Sequence, residues 1–179
     1  MLERPQSPNP YDLLPKVAGF ELVSDDLKEG RQLPQDQVSD WVGGANISPQ
    51  LRWSGFPEEV AGFAVTCYDP DAPTGSGFWH WAVAGLPASV TELSRGAGEV
   101  SGAALPGGAF QLRNDGGVAG YMGAAPPKGD GPHRYIFAVH ALDTDELDVK
   151  PDSTPAFLGF HITFHVLARA TLTALYQVS

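Results

Sequence analysis

The ten residues His133–Leu142, HRYIFAVHAL, restrict the fold of this chain more than any other stretch. A β-strand sends successive side chains to opposite faces. Tyr135, Phe137, Val139 and Ala141 would take one face, and Ile136, Ala138, His140 and Leu142 the other. Both sets are mostly apolar, whereas a strand with one wet face alternates apolar with polar residues. The stretch therefore predicts a central strand in a sheet that is covered on both sides.

Two further runs have the length and β-branched or aromatic content of buried strands. They are Phe63–Tyr68, FAVTCY, and Trp79–Ala84, WHWAVA, the latter ended by Pro87. Phe20, Leu22 and Val23 predict a short first strand. Asp36–Pro49, with Gly43 and Gly44, and Asp69–Gly77, DPDAPTGSG, read as loop and turn. Residues 95–133 form a long stretch rich in glycine and proline, and Phe110, Tyr121 and Met122 within it predict an ordered loop. The 21 glycines and 16 prolines follow no fixed period, which excludes collagen and predicts many turns.

Helical signals occur once. Ser153-Thr154-Pro155 reads as a capping hydroxyl followed by proline in a first turn. Phe157, then Phe160 or His161, then Phe164 and Ala168 follow at helical spacing. From about Arg169 the pattern alternates, with Leu172, Ala174, Tyr176 and Val178 on one side and Thr171, Thr173 and Gln177 on the other. A last strand is expected there, although LARATLTAL could continue the helix. Pro5, Pro8, Pro10 and Pro15 make residues 1–18 an arm that is extended rather than helical. Residues 19–179 form a single domain, in keeping with a chain of 179 residues. Several strands, one helix and long loops predict a mainly antiparallel β architecture.

A net charge of -10 opposes binding to nucleic acid and charge-driven adhesion to anionic membranes, but leaves room for a local anion site. The single cysteine, Cys67, excludes an internal disulfide and reads as a small buried residue. No run approaches the ~20 apolar residues of a membrane-spanning helix, so no integral membrane segment is expected. The N-terminal residues have no secretory character, and a cytoplasmic protein is expected.

Polar groups gather at three loop–strand junctions. Asp69 and Asp71 lie in DPDAP, His80 lies in Trp79-His80-Trp81, and His133 and Tyr135 close PPKGDGPHRY, Pro126–Tyr135. In this order the three motifs resemble the phosphatidylethanolamine-binding protein family, whose eukaryotic members include the Raf kinase inhibitor protein. NISPQLRWSG, Asn46–Gly55, and GYMG, Gly120–Gly123, resemble its bacterial branch. The resemblance runs from about Phe20 to Tyr176.

The resemblance implies a β sandwich: a large antiparallel sheet packed on a smaller one, with a helix near the C-terminus and a pocket at one end of the large sheet. Carried over position by position, the ligand-binding residues would be Asp69, His80, His133 and Tyr135. Pro73 and Pro127 would form walls, Phe78 or Trp81 apolar lining, and Gly123 part of a Gly120–Gly123 segment that presents backbone N–H groups. No cofactor is implied. A homodimer is, as is a pocket that, lacking a C-terminal helix found in eukaryotic relatives, is either more open or closed by a partner subunit.

The residue chemistry agrees with a phosphate-type anion or phospholipid headgroup. Histidines supply ring N–H donors and titrate near neutral pH. Asp69 can fix a histidine's tautomer, repel a dianion and attract an ammonium head. Arg134, next to Tyr135 on a strand, should point away from it as a surface or structural ion-pair residue. His161 and His165 stand at i and i+4, but the glutamate of a zinc hydrolase is missing, so both read as structural. Asp143, Asp145, Glu146 and Asp148 lack the glycine of a calcium loop.

The expected function is binding of a small anion or headgroup, with a regulatory role toward a protein partner, rather than catalysis. One alternative is a hydrolase using Asp69, His80 and His133, with Cys67 as the nearest nucleophile. Another is a protein inhibitor of a kinase or protease that acts through its outer surface.

Overall fold

In the computed structural model, residues 5–178 are described. The strands are β1 Ala18–Gly19, β2 Glu21–Val23, β3 Leu51–Ser54, β4 Gly62–Asp69, β5 Phe78–Pro87, β6 Glu92–Leu93, β7 Phe110–Gln111, β8 His133–Leu142 and β9 Val166–Tyr176. The helices are α1 Pro10–Leu13 and α2 Pro155–His165. The large sheet runs β1-β9-β8-β4-β5-β7 and the small one β2-β3-β6. All pairings are antiparallel except β1 with β9, so the large sheet is mixed.

β8 spans the ten residues expected and lies between β9 and β4, buried along nearly its whole length. Its two faces feed two cores. Tyr135, Phe137, Val139 and Ala141 join Leu51, Trp53 and Leu93 of the small sheet. Leu142, with Ala64, Ala82, Ala84 and Leu112, packs against Leu158 and Ile162 of α2. The two-sided apolar pattern of β8 is thus accounted for by the small sheet on one side and, on the other, by α2 over Leu142 and Tyr11 of the arm over His140.

Two bulges shape β5. Phe63 pairs with Leu86 and Val65 with Val83, which places an extra residue near Gly85, whose φ of 75° suits glycine. Cys67 pairs with Trp81 but Tyr68 with Trp79, so His80 is the extra residue of the second. That bulge lets two sequence neighbours, His80 and Trp81, both turn towards the side of the sheet that carries Tyr135.

α2 starts as expected, with the Thr154 side chain accepting from Phe157 N at 3.1 Å and Pro155 in the first turn. Thr154→Ala should lower the unfolding free energy by about 1 kcal/mol, read as an earlier denaturation midpoint at unchanged slope. The buried face differs from expectation. α2 buries Leu158 and Ile162, while Phe157, Phe160 and Phe164 stay 45%, 56% and 67% exposed. The helix is apolar on nearly every side, so two stripes compete, and the alanine-lined sheet takes the slimmer aliphatic one. β9 begins at Val166, directly after α2, and LARATLTAL is strand.

Residues 1–4 of the arm lie outside the described residues. Pro10–Leu13 form one helical turn, capped by the Asn9 side chain on Tyr11 N, which corrects the fully extended reading. Proline at the first helical position starts that turn instead of preventing it. Among the described residues no helix is long and apolar enough to cross a membrane.

Candidate functional site

The ends of β4, β5 and β8 meet at one rim of the large sheet. Asp69 ends β4, His80 sits on the bulge of β5, and His133 and Tyr135 open β8. They border a cavity of about 180 Å³ together with Pro73, Phe78, Gly123 and Pro127. Three distant stretches of chain therefore converge as expected. Trp81 does not take part: it is fully buried in the core between the sheets, with Nε1 donating to Gln111 Oε1 at 2.6 Å. Phe78 supplies the apolar lining in its place, because it shares the side of Asp69, its pairing partner.

Asp69, 2% exposed, is held by its own turn. Asp71 N donates to Asp69 Oδ1 at 2.7 Å, and His133 Nδ1 donates to Asp69 Oδ2 at 2.7 Å. On the other side of the ring, His133 Nε2 donates to Asp130 Oδ2 at 3.0 Å. With a carboxylate on each nitrogen, His133 is held as imidazolium. Burial alone would lower its pKa, but the hydrogen bonds and charges of Asp69 and Asp130 outweigh that and raise it. Both His133 protons are thus committed to carboxylates, and the ring orders the site instead of offering a donor. Asp130 was not singled out in the sequence. Its signal was the i, i+3 spacing to His133 across Gly131, whose φ of 85° closes the turn.

His80 behaves differently. Its Nδ1 donates to the Met122 carbonyl at 2.8 Å. Burial pushes its pKa down, against the pull of that carbonyl and of Asp69. A neutral ring that donates through Nδ1 leaves Nε2 as a bare acceptor. The Tyr135 ring lies edge-on to His80 at 5.0 Å, and among the described residues its buried hydroxyl has no hydrogen-bond partner. A buried phenol without a partner is rare and costs about 1–3 kcal/mol.

The Gly120–Gly123 segment does not form an anion nest. Gly120 N donates to Val118 O, Tyr121 N to Gly98 O, Met122 N to His80 O and Gly123 N to Asn46 Oδ1. All four amides are consumed by the fold. Gly123 lines the cavity because the backbone of Gln37–Ser39 crosses it closely: a Cβ there would sit 2.4 Å from Ser39 N. Asn46, at a φ of 57°, takes an unusual conformation as its side chain holds Gly123 in place.

Behind the site, Arg134 points away from Tyr135 as expected. It donates to both oxygens of Asp71, from Nε at 2.8 Å and from Nη2 at 2.8 Å, and also reaches the Ser7 carbonyl of the arm. Burial would raise the Asp71 pKa, but Arg134 lowers it overall. Trp41, 75% exposed, stands at the mouth of the cavity, and Ala72, Thr74, Met122 and Pro126 complete its wall. Ala72, Met122 and Pro126 lie within the DPDAP, GYMG and PPKGDGPHRY motifs, whereas Trp41 and Thr74 carry no distinctive local signal. Cys67 is fully buried, and burial followed by the Asp69 charge raises its pKa. Away from the cavity, His165 pairs with Asp143 at 2.8 Å, and no cluster able to hold a metal occurs among the described residues.

Comparison with known proteins agrees with this fold. The family described as phosphatidylethanolamine-binding protein matches residues 23–177. The YbhB protein of Escherichia coli is 51% identical over 161 residues, covering 88% of this chain and 100% of the relative. The crystal structure of E. coli YbcL, described as a new member of the mammalian PEBP family, aligns with a TM-score of 0.87 at 48% identity, covering 90% of this chain and 100% of that one. A phosphatidylethanolamine-binding protein homologue from Chlamydia trachomatis aligns with a TM-score of 0.75 at 30% identity, covering 90% of this chain and 99% of that one.

Proposed function

The chain belongs to the phosphatidylethanolamine-binding protein family, and from that premise we propose that its cavity binds a small phosphate-bearing headgroup that brings its own proton or ammonium group. The observation that carries this reading is the buried Tyr135 hydroxyl, which has no partner among the described residues and belongs to a ring packed edge-on at 5.0 Å against the neutral His80 with its bare Nε2. One ligand oxygen would accept from Tyr135. A ligand O–H or N–H would donate to His80.

Size and charge narrow the ligand. A cavity of about 180 Å³ lies below the ~300–1,000 Å³ of sites for drug-sized molecules, so a headgroup fits and a whole lipid does not. The Asp69 carboxylate at the cavity, beside a neutral His80, disfavours a dianion. A monoanionic phosphate monoester, or phosphorylethanolamine with its ammonium, meets both conditions.

The sign of the pH dependence follows. A phosphate monoester loses its second proton near pH ~6. Above that pH the bound form becomes scarce in solution, and His80, with its depressed pKa, does not supply the proton instead. Affinity for a phosphate monoester should fall by up to about tenfold per pH unit above pH ~7. Calorimetric titration across pH 6 to 8, in buffers of different ionisation enthalpy, should show proton uptake on binding. Affinity that rises with pH would refute the reading.

Turnover has less support. The Thr74 hydroxyl is spent on the Gly77 carbonyl, and the Cys67 thiol is buried with a raised pKa, so neither resembles an activated nucleophile. Release of product from a phosphate or carboxylate ester, lost in His80→Ala, would support the hydrolase alternative.

A further inference from the structure

A second polar site lies on the opposite face of the large sheet. Thr66 and His140 alternate with the core residues of β4 and β8, and Arg169 and Thr171 alternate with Ala168, Ala170 and Leu172 of β9, so all four point away from the headgroup cavity. The arm crosses this face. Tyr11 packs against His140 with ring centroids 5.8 Å apart and planes tilted by 56°, and its hydroxyl lies 3.3 Å from Thr66 Oγ1.

The Arg169 guanidinium is fixed there from two sides. Its Nε donates to His140 Nδ1 at 3.2 Å, and its carbon sits 4.8 Å above the Tyr11 ring. Accepting at Nδ1 requires His140 to carry its proton on Nε2, which donates to Thr66 Oγ1 at 3.1 Å. Burial and then Arg169 itself push the His140 pKa down to about 3, so that ring stays neutral and offers Arg169 no counter-charge.

The terminal nitrogens of Arg169 remain. Arg169 is half-buried, and among the described residues it forms no ion pair with a carboxylate. Charges removed from water are normally paired. Arg169 borders an open cavity of about 480 Å³ lined also by Tyr11, Asp12, Lys16, Val17 and Thr171. Two cations to one carboxylate give it a net positive lining, on a chain whose net charge is -10. Burial depresses the Arg169 pKa, as expected of a guanidinium that lacks a counter-ion.

We propose that this cavity binds a small oxyanion between the arm and β9. The pre-oriented Arg169 fork would take two oxygens side by side, Lys16 would add charge, and the Thr171 hydroxyl a neutral donor. Because Tyr11, Lys16 and Val17 belong to the arm and Arg169 and Thr171 to the sheet, the bound anion fastens one to the other.

The test is amide chemical-shift titration of the full chain with inorganic phosphate and, separately, succinate. Shifts at residues 11–17 and 169–171 should saturate with at least one of the two. Saturation by phosphate alone would assign a tetrahedral oxyanion, and by succinate alone a carboxylate. In Arg169→Met the affinity read at these residues should fall about tenfold or more, while shifts around Tyr135 and Gly123 respond as in wild type. The exposed Lys16→Ala, which leaves the sheet intact, should weaken the same site several-fold and reduce its salt dependence. Absence of saturation at 11–17 and 169–171 with both anions, or unchanged affinity in both variants, would overturn the proposal. Either result is independent of whether the headgroup cavity binds its ligand.

Discussion

His133→Ala should lower the unfolding free energy at pH 7 by about 3 kcal/mol, the cost typical of removing one member of a buried charged cluster. The wild-type ring separates the Asp69 and Asp130 carboxylates, whose side chains are 3% and 2% exposed. Its loss brings two anions together around a buried gap, and like charges in a shared site raise carboxyl pKa values. The pH profile separates this electrostatic effect from lost packing. In the variant, a folded-state carboxyl pKa above the unfolded ~4 means that stability recovers as pH falls from 7 towards 5. In wild type the slope has the same sign but lies in a higher pH window. The raised His133 pKa gives stability that is fully present below the unfolded value of ~6.5 and is lost as pH rises through the folded value. Denaturation curves at pH 5, 7 and 8 check both slopes, and parallel profiles for the two proteins would contradict the assignment.

The second large effect concerns Arg134. Arg134→Met keeps the aliphatic stem but removes the paired hydrogen bonds to Asp71 and the link to Ser7. A loss of about 3 kcal/mol is expected at pH 7. Asp71 has a lowered folded pKa, so the contribution of this pair is present above the unfolded value of ~3.9 and disappears as pH falls through the folded one. Wild type and variant should therefore converge in strong acid. Release of Ser7 should also expose the arm, so limited proteolysis within residues 5–17 should be faster in the variant at neutral pH. A stability difference that persists undiminished in acid would show that packing, not the ion pair, dominates. Because Asp71 also donates its N–H to Asp69, this pair connects the arm to the histidine clamp.

What could be read in the residues, and what could not, follows from the kind of signal each element carries. β8 was legible to its end residues because both faces are apolar and period two is unambiguous over ten positions. The start of α2 was legible because Thr154 and Pro155 act locally. Its buried face was not, since Phe157–Phe164 and Leu158–Ile162 are equally valid stripes and only the alanines opposite decide between them. The first turn of β9 was blurred because Val166 and Leu167 suit a strand and a helix equally.

At the site, Asp69, His80, His133 and Tyr135 came from motif resemblance, and the structure gathers them at one cavity. The exclusion of Trp81 depended on a bulge in the pairing of β4 with β5, which no periodicity in β5 announces. The division of labour between the two histidines was equally hidden. It rests on Asp130 and on the Met122 carbonyl, one in a flexible-looking Gly-Pro loop and the other a backbone atom. The expectation that Gly120–Gly123 would present free amides failed because hydrogen-bond partners such as Asn46 and Gly98 are distant in sequence.

The Tyr135 hydroxyl offers the sharpest measurement, because its role in the unliganded protein and its role in binding have opposite signs. Calorimetric titration with phosphorylethanolamine at pH 6.5 should show saturable one-to-one binding to the wild type and about tenfold weaker binding to Tyr135→Phe, which should unfold at the same temperature as wild type or higher. Equal affinity in the two proteins, or no binding to either, would contradict a headgroup seated on that hydroxyl.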